Sequence, residues 1–414
     1  MKHIYSSIDI GSNNIKIVVC ELFQNKLNLL ASVSSKSKGI KKGIIVDEDL
    51  ALKSVKKAFN QIEDTLGIRI KKVIASVPSF NAEYSVAKGS INIDNEDGLI
   101  TVEDINKVIN VSVKNNPYTV REIVTVLPVD YIIDNETYTK KPLGRQAHTL
   151  GCRFVLVTTP KKNVYSVVSI LEKIGVEVVD ISLNNIGDLY SFNNKEFEDE
   201  VGAIINIGSD ITSVSLYNKS ILVKSSIINM GGKDIDSDIS YAYKIDIPTA
   251  KKLKVNFALA HSKNSSENDI VEVKSAYDDN LKINQYEVSK IAMNRIEEIL
   301  NTAKKEIMLL TTRKIDYIII TGGTSNMTGF EYVVKDVFGE NAHIGNVKML
   351  GIRDNRYSSV IGNIVYFISK LKLKNKDYSM ISDDEMYQVT SVTSKNLGAS
   401  DSMLGKIFGF FFSE

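Results

Sequence analysis

Ile8-Asp9-Ile10-Gly11-Ser12 and Ile205-Asn206-Ile207-Gly208-Ser209 are the same five-residue unit with one replacement, and each sits at the bend of a strand-turn-strand pattern. Residues 4–10 and 15–23 alternate around Gly11-Ser12-Asn13-Asn14; the second unit runs through Asp210-Ile211-Thr212 into Ser213-Val214-Ser215-Leu216. Tight turns rich in Gly and small polar residues between such runs predict hairpins. A hairpin that returns this far along the chain predicts two related lobes. The length of 414 residues allows this, being too great for one ordinary core.

Between the hairpins, Leu50, Val55, Ala58, Phe59 and Ile62 form a helical stripe over 48–65, and Lys72 to Val77 reads as a buried strand. Residues 84–163 change character, mixing strands with a helix near 103–114 and the turn Lys141-Pro142-Leu143-Gly144; an inserted subdomain is expected there. Helical spacing holds from 285 to 310 through Val288, Ala292, Ile296, Ile299, Ala303 and Ile307, and a strand follows at Tyr317 to Thr321. Residues 374–401 are polar and short of apolar anchors, as in a flexible linker.

Charge is balanced, 51 Lys+Arg against 50 Asp+Glu, so no basic field points to nucleic acid. Cys20 and Cys152 stand far apart in no ligand spacing, which argues against a disulfide framework or zinc site and fits a reducing cytoplasm. Met1-Lys2-His3 leads directly into strand alternation, without the charged and apolar regions of a secretory signal. With no apolar run long enough to span a bilayer, membrane contact is expected to be peripheral.

Phosphates need preorganised N–H donors and close backbone approach, which Gly-Ser turns supply. Gly11-Ser12-Asn13-Asn14 and Gly208-Ser209-Asp210 qualify, although either alone is also an ordinary chain reversal. Two further glycine pairs join them. Ile318-Ile319-Ile320-Thr321-Gly322-Gly323-Thr324 is a buried strand ending in bare backbone that would accept a flat base and ribose, and Met230-Gly231-Gly232 precedes a helix that Asp234 can cap.

In this order the motifs resemble the actin and sugar-kinase ATPase superfamily. Lys38-Gly39-Ile40-Lys41-Lys42-Gly43, Pro142-Leu143-Gly144, and Met230-Gly231-Gly232 continuing to Ala250-Lys251-Lys252-Leu253-Lys254 resemble its bacterial cell-division branch, the FtsA family. The resemblance implies an α/β, actin-like two-lobed ATPase fold, a duplicated ribonuclease H-like core with an inserted α+β subdomain in the first lobe. The first-lobe core would be 1–83, completed by 164–199 and 354–373, with 84–163 inserted. The second-lobe core would be 200–231 with 314–353, its outer subdomain 232–313. A 374–401 linker and a 402–414 membrane-targeting helix would follow.

By motif, the resemblance implies ATP and Mg2+ as ligands. Gly11, Ser12, Asn13 and Lys16 would hold phosphates from the first lobe, and Gly208, Ser209, Asp210 and Thr212 from the second. Gly232, Lys252, Gly322, Gly323 and Thr324 would hold the nucleoside. Asp9 would orient the metal and its waters, with no side chain ligating the metal directly. Where the family opens its second phosphate segment with Asp, this chain has Asn206, which implies weak or absent hydrolysis. Arg295 matches a basic position near the acidic C-terminal tail of the tubulin-like filament FtsZ. Further implied partners are other copies of the chain, in a filament, and membrane lipid at the cytoplasmic face of the division site.

At helical spacing Leu404, Ile407, Phe408, Phe411 and Phe412 fall on one side, and Gly405, Lys406, Gly409 and Ser413 on the other. Such a helix suits a peripheral anchor. No substrate-side base marks a sugar kinase, and too little chain follows the ATPase-like part for a chaperone's substrate domain. An actin-like pilus-assembly adaptor or another ATPase of the superfamily is the alternative.

Overall fold

A computed structural model of the chain describes residues 2–114, 120–139, 141–192, 197–275, 280–373 and 376–382. It opens with a meander of β1 (His3–Ile10), β2 (Asn14–Phe23) and β3 (Lys26–Lys36). A small hairpin, β4 (Ile40–Lys41) and β5 (Ile44–Ile45), leads to helix α1 (Glu48–Leu66) and then β6 (Lys72–Val77). Next come β7 (Glu83–Asn92), α2 (Val102–Lys114), β8 (Arg121–Ile133), β9 (Thr137–Thr139) and β10 (Thr149–Pro160). The chain returns through α3 (Lys161–Lys173), β11 (Glu177–Leu183) and α4 (Asn184–Phe192).

A second meander follows, β12 (Val201–Ile207), β13 (Thr212–Asn218) and β14 (Ile221–Ile228), then helices α5 (Gly232–Tyr243) and α6 (Ile247–Asn256). Hairpin β15 (Ile270–Lys274) and β16 (Asn280–Asn284) precedes α7 (Gln285–Leu310) and β17 (Tyr317–Thr321). Last come α8 (Phe330–Phe338), β18 (Ala342–Ile344) and α9 (Ser358–Leu373).

The two main sheets have one topology. Strand order is β3-β2-β1-β6-β11 in the first and β14-β13-β12-β17-β18 in the second, with β6 parallel to β1 and β17 parallel to β12. Central strands covered on both faces read as near-continuous apolar runs, which explains why β17 is buried from end to end. In the first lobe the outer face packs against α1 and α3 through Val55, Phe59, Ile62 and Ile170. The second packs against α5 and α7 through Ile235, Ile239, Ala292 and Ile296. Asp47 caps α1 by accepting from the Leu50 N–H at 3.0 Å, and Leu50 itself stays exposed because Ala51 takes the buried position on the expected stripe.

The insertion is a sheet of order β7-β10-β8-β9 with α2 against it, closed over Ile100, Val108, Leu150 and Phe154. Between the two main sheets α4 and α9 cross so closely that a Cβ on Gly362 would lie 1.7 Å from the Gly187 carbonyl oxygen. That contact requires glycine.

The first part of the stretch expected as a linker packs onto the first lobe. Met380 and Ile381 are buried, the Met380 N–H donates to the Ile4 carbonyl at 2.9 Å, and the Ile4 N–H donates to Ser379 Oγ at 3.0 Å. Those two apolar side chains are the anchors that the polar composition of the stretch conceals. Residues 383–401 and the expected anchor helix, with Leu404, Ile407, Phe408, Phe411 and Phe412, lie outside the described residues. Among the described residues no helix is long and apolar enough to cross a membrane.

Candidate functional site

The two meander turns close in the same way. The Gly11 N–H donates to the Asn14 carbonyl at 3.2 Å, and the Gly208 N–H to the Ile211 carbonyl at 3.0 Å. Both line one cavity of about 620 Å³ between the lobes. Its far wall is built on the second turn: the Gly232 N–H donates to the Gly208 carbonyl and the Lys233 N–H to the Ser209 carbonyl, both at 2.9 Å. Asp234 accepts from the Gly231 N–H at 2.7 Å, the cap expected for α5. After β17 the backbone turns at Gly322 with φ 95°, and a Cβ there would lie 2.5 Å from Asn206 Oδ1. Glycine is thus required by both conformation and contact.

The lobes also touch across the cavity. Lys251 Nζ on α6 donates to Asn13 Oδ1 at 2.6 Å, and the Lys42 N–H in the β4–β5 bend donates to Asp210 Oδ2 at 3.0 Å. Burial pushes the Lys251 ammonium pKa down, as do the nearby Lys254, Lys36 and Lys233, against the opposing pull of Asp236. A ligand phosphate there would push that pKa back up.

Asp9 pairs with Lys16 across β1–β2 and accepts from Asn184 Nδ2 at 3.0 Å. Asn206, its counterpart, donates through Nδ2 to Asp188 Oδ2 at 2.7 Å. Asp188, on α4, also accepts from the hydroxyls of Ser358 at 2.6 Å and Ser359 at 2.7 Å. Burial raises its carboxyl pKa despite those three donors, and nearby Asp9 adds to the rise.

Of the residues expected at the nucleotide, Asp9, Gly11, Ser12, Asn13, Lys16, Gly208, Ser209, Asp210, Gly232, Gly322, Gly323 and Thr324 line the cavity. Two expected residues do not. Thr212 is fully buried, its hydroxyl spent on the Met230 carbonyl at 2.9 Å, and Lys252 points outward from α6. Its neighbours Lys251 and Lys254 line the cavity instead, with Lys254 Nζ 2.6 Å from both the Gly232 carbonyl and Asp236 Oδ1. Arg295 lies apart, its guanidinium bonded to Asp238 through Nε at 2.6 Å and Nη2 at 2.8 Å and to Glu298 through Nη1 at 2.6 Å. Sequence reasoning missed Asn184, Asp188 and Arg356, whose stem lies over Gly323. Nothing local marks them, because each reaches the site from another element.

Glycine backbone on three sides, clustered ammonium groups and a cavity of nucleotide size are the donor set and shape that a nucleoside polyphosphate requires.

Twin sheets that close on such a cavity define the actin-like ATPase fold. Solved structures agree: a PilM-PilN type IV pilus biogenesis complex matches at TM-score 0.58 and 14% identity, covering 87% of this chain and 98% of that one. MreB5 of Spiroplasma citri bound to ADP matches at TM-score 0.53 and 14% identity, covering 90% and 99%. At such identities the likeness shows the fold alone.

Sequence narrows the class. The family described as "Cell division protein FtsA" matches residues 203–362, and "SHS2 domain inserted in FTSA" matches 81–158. The Bacillus subtilis cell division protein FtsA is 28% identical over 398 residues, covering 94% of this chain and 89% of that protein. Its Streptococcus pneumoniae counterpart is 29% identical over 371 residues, covering 86% and 78%. The chain belongs to the FtsA family of actin-like cell-division proteins.

Proposed function

We propose that the chain takes ATP with Mg2+ into its interlobe cavity, polymerises, and holds the C-terminal tail of FtsZ at the cytoplasmic face of the membrane at the division site. One observation carries the nucleotide part: the Lys42-Gly43 bend bonds to Ser12 of the first turn and Asp210 of the second, so both turns are held facing one cavity. With the turns closed by the Gly11 and Gly208 N–H groups, those glycines let the phosphates approach the bare backbone, and the N–H groups of Ser12, Asn13 and Ser209, with Lys16, hold them. The nucleoside rests on Gly232 and Gly322-Gly323-Thr324, with Lys254 fixing the Gly232 carbonyl. Bound Mg2+ supplies charge neutralisation, and Asp9, held by Lys16 and Asn184, is the carboxylate placed to orient its waters. Turnover is slow because position 206 supplies an amide.

The FtsZ tail docks on the α5–α7 face around Arg295, whose guanidinium is oriented by Asp238 and Glu298 and a quarter exposed. Attachment to lipid runs through residues 402–414, one weak helix per subunit, made firm by many copies along a filament.

The test is co-pelleting of the full chain with lipid vesicles and a fluorescent FtsZ-tail peptide, with and without ATP. The peptide should pellet only when protein and vesicles are both present. Removal of residues 402–414 should leave ATP and peptide binding intact and abolish pelleting. Arg295→Glu should weaken peptide binding about tenfold, the worth of one charge-assisted contact. A truncated chain that still pellets with lipid would contradict the anchoring role, and an unaltered peptide affinity would remove Arg295 from the docking face.

A further inference from the structure

We propose that the Asp210 carboxylate is a built-in competitor for a terminal phosphate, so that the cavity holds a nucleoside diphosphate more tightly than the triphosphate. This rests on the nucleotide reading above and adds a preference to it.

The argument begins with the β4–β5 hairpin. Its two loop residues both have positive φ, Lys42 at 53° and Gly43 at 75°, the pattern of a type I′ turn. Their N–H groups are spent on the two facing turns. The Gly43 N–H donates to Ser12 Oγ at 2.8 Å, and the Lys42 N–H donates to Asp210 Oδ2 at 3.0 Å. Lys233 Nζ lies 2.6 Å from Asp210 Oδ1, and the Ser12 hydroxyl lines the same part of the cavity. A backbone N–H, an ammonium and a hydroxyl are what a phosphate oxygen seeks. Here they converge on a fixed anion whose side chain is only 9% exposed. Burial alone would raise that carboxyl, yet Lys233, Lys42 and Ser12 hold it below its usual range, so it keeps its charge.

Position along the turn gives the preference. Gly322, on the nucleoside side, backs onto Asn206 and Ile207 at the base of the second turn. Asp210 stands at the tip, against the first lobe. A polyphosphate extending from base to tip meets the carboxylate with its last phosphate, and two anions then contend for one set of donors.

The experiment is calorimetric titration of the full chain with ADP and with ATP, each with Mg2+, on the unaltered protein, Asp210→Gly and Asp210→Asn. Asparagine keeps the size and the bond from the Lys42 N–H, so the pair separates charge from packing, and melting curves check that both variants fold. The unaltered chain should bind ADP about tenfold more tightly than ATP, and both variants should tighten ATP by about that factor while moving ADP less than about twofold. Weaker ATP binding in the variants would overturn the proposal, making Asp210 a ligand of the bound metal-triphosphate. Equal affinities in the unaltered chain, unchanged in the variants, would overturn it while leaving nucleotide binding intact. Absence of binding by either nucleotide would overturn the nucleotide reading and this inference together.

Discussion

The two phosphate-type turns share a backbone and differ in chemistry. In the first, Asp9 stands opposite Lys16 in the β1–β2 register; at the matching place in the second, Asn206 stands opposite Ser213. The first turn therefore offers a cation and a carboxylate to the cavity, and the second offers neither from these positions. The second lobe still carries acid, displaced to Asp210 at its turn tip, and Asp188 waits one hydrogen bond behind Asn206. Duplicated folds thus conserve donor geometry more strictly than charge, because the turn is fixed by its own backbone closure while the side chains around it are free to diverge.

The largest test of that difference is to restore the symmetry. Asn206→Asp would set a second carboxylate against buried Asp188, where like charges at hydrogen-bond distance cannot both ionise, and should destabilise the chain by about 3 kcal/mol in urea unfolding. Adding Asp188→Asn should recover most of that loss, since the two positions share one bond. A neutral Asn206→Asp variant would break the comparison. The double variant is also the one expected to raise ATP turnover, because it returns an acid to position 206 with an uncharged neighbour.

A smaller effect separates the hairpin partners. Lys16→Ala should weaken ATP binding about tenfold, whereas Ser213→Ala, its counterpart, should change affinity less than about twofold. Equal losses would mean that the second lobe supplies as much charge recognition as the first. The smallest effect concerns pH. Because the folded state holds the Asp210 carboxyl below its ordinary value of 3.8, its contribution to stability is present in full above that value and is lost as pH falls through the depressed one. The stability difference between the unaltered chain and Asp210→Asn, followed by acid titration, should stay flat above that window and shrink within it.

Much of this is legible in the sequence. Hairpin turns are local, so Gly11-Ser12 and Gly208-Ser209 reveal themselves, and the apolar period of 285–310 and the run Tyr317 to Thr321 mark α7 and β17 with the limits observed. Side-chain direction on a helix is less legible. One residue turns the helix by about 100°, so the lysine cluster of α6 places Lys251 and Lys254 in the cavity and Lys252 outside it. Thr212 was misplaced for a related reason: it follows the turn but points into the core, where its hydroxyl satisfies Met230. Asp188 was invisible because its role exists only where α4, β12 and α9 meet.

Photolabelling the full chain with 8-azido-ATP and Mg2+, followed by peptide mapping, tests most directly that the nucleotide lies between the two turns. Label should appear on peptides carrying 229–256 and 322–327 and disappear with excess ATP. Protectable label confined to peptides away from the interlobe cavity, or label in these peptides that excess ATP leaves unchanged, would contradict it.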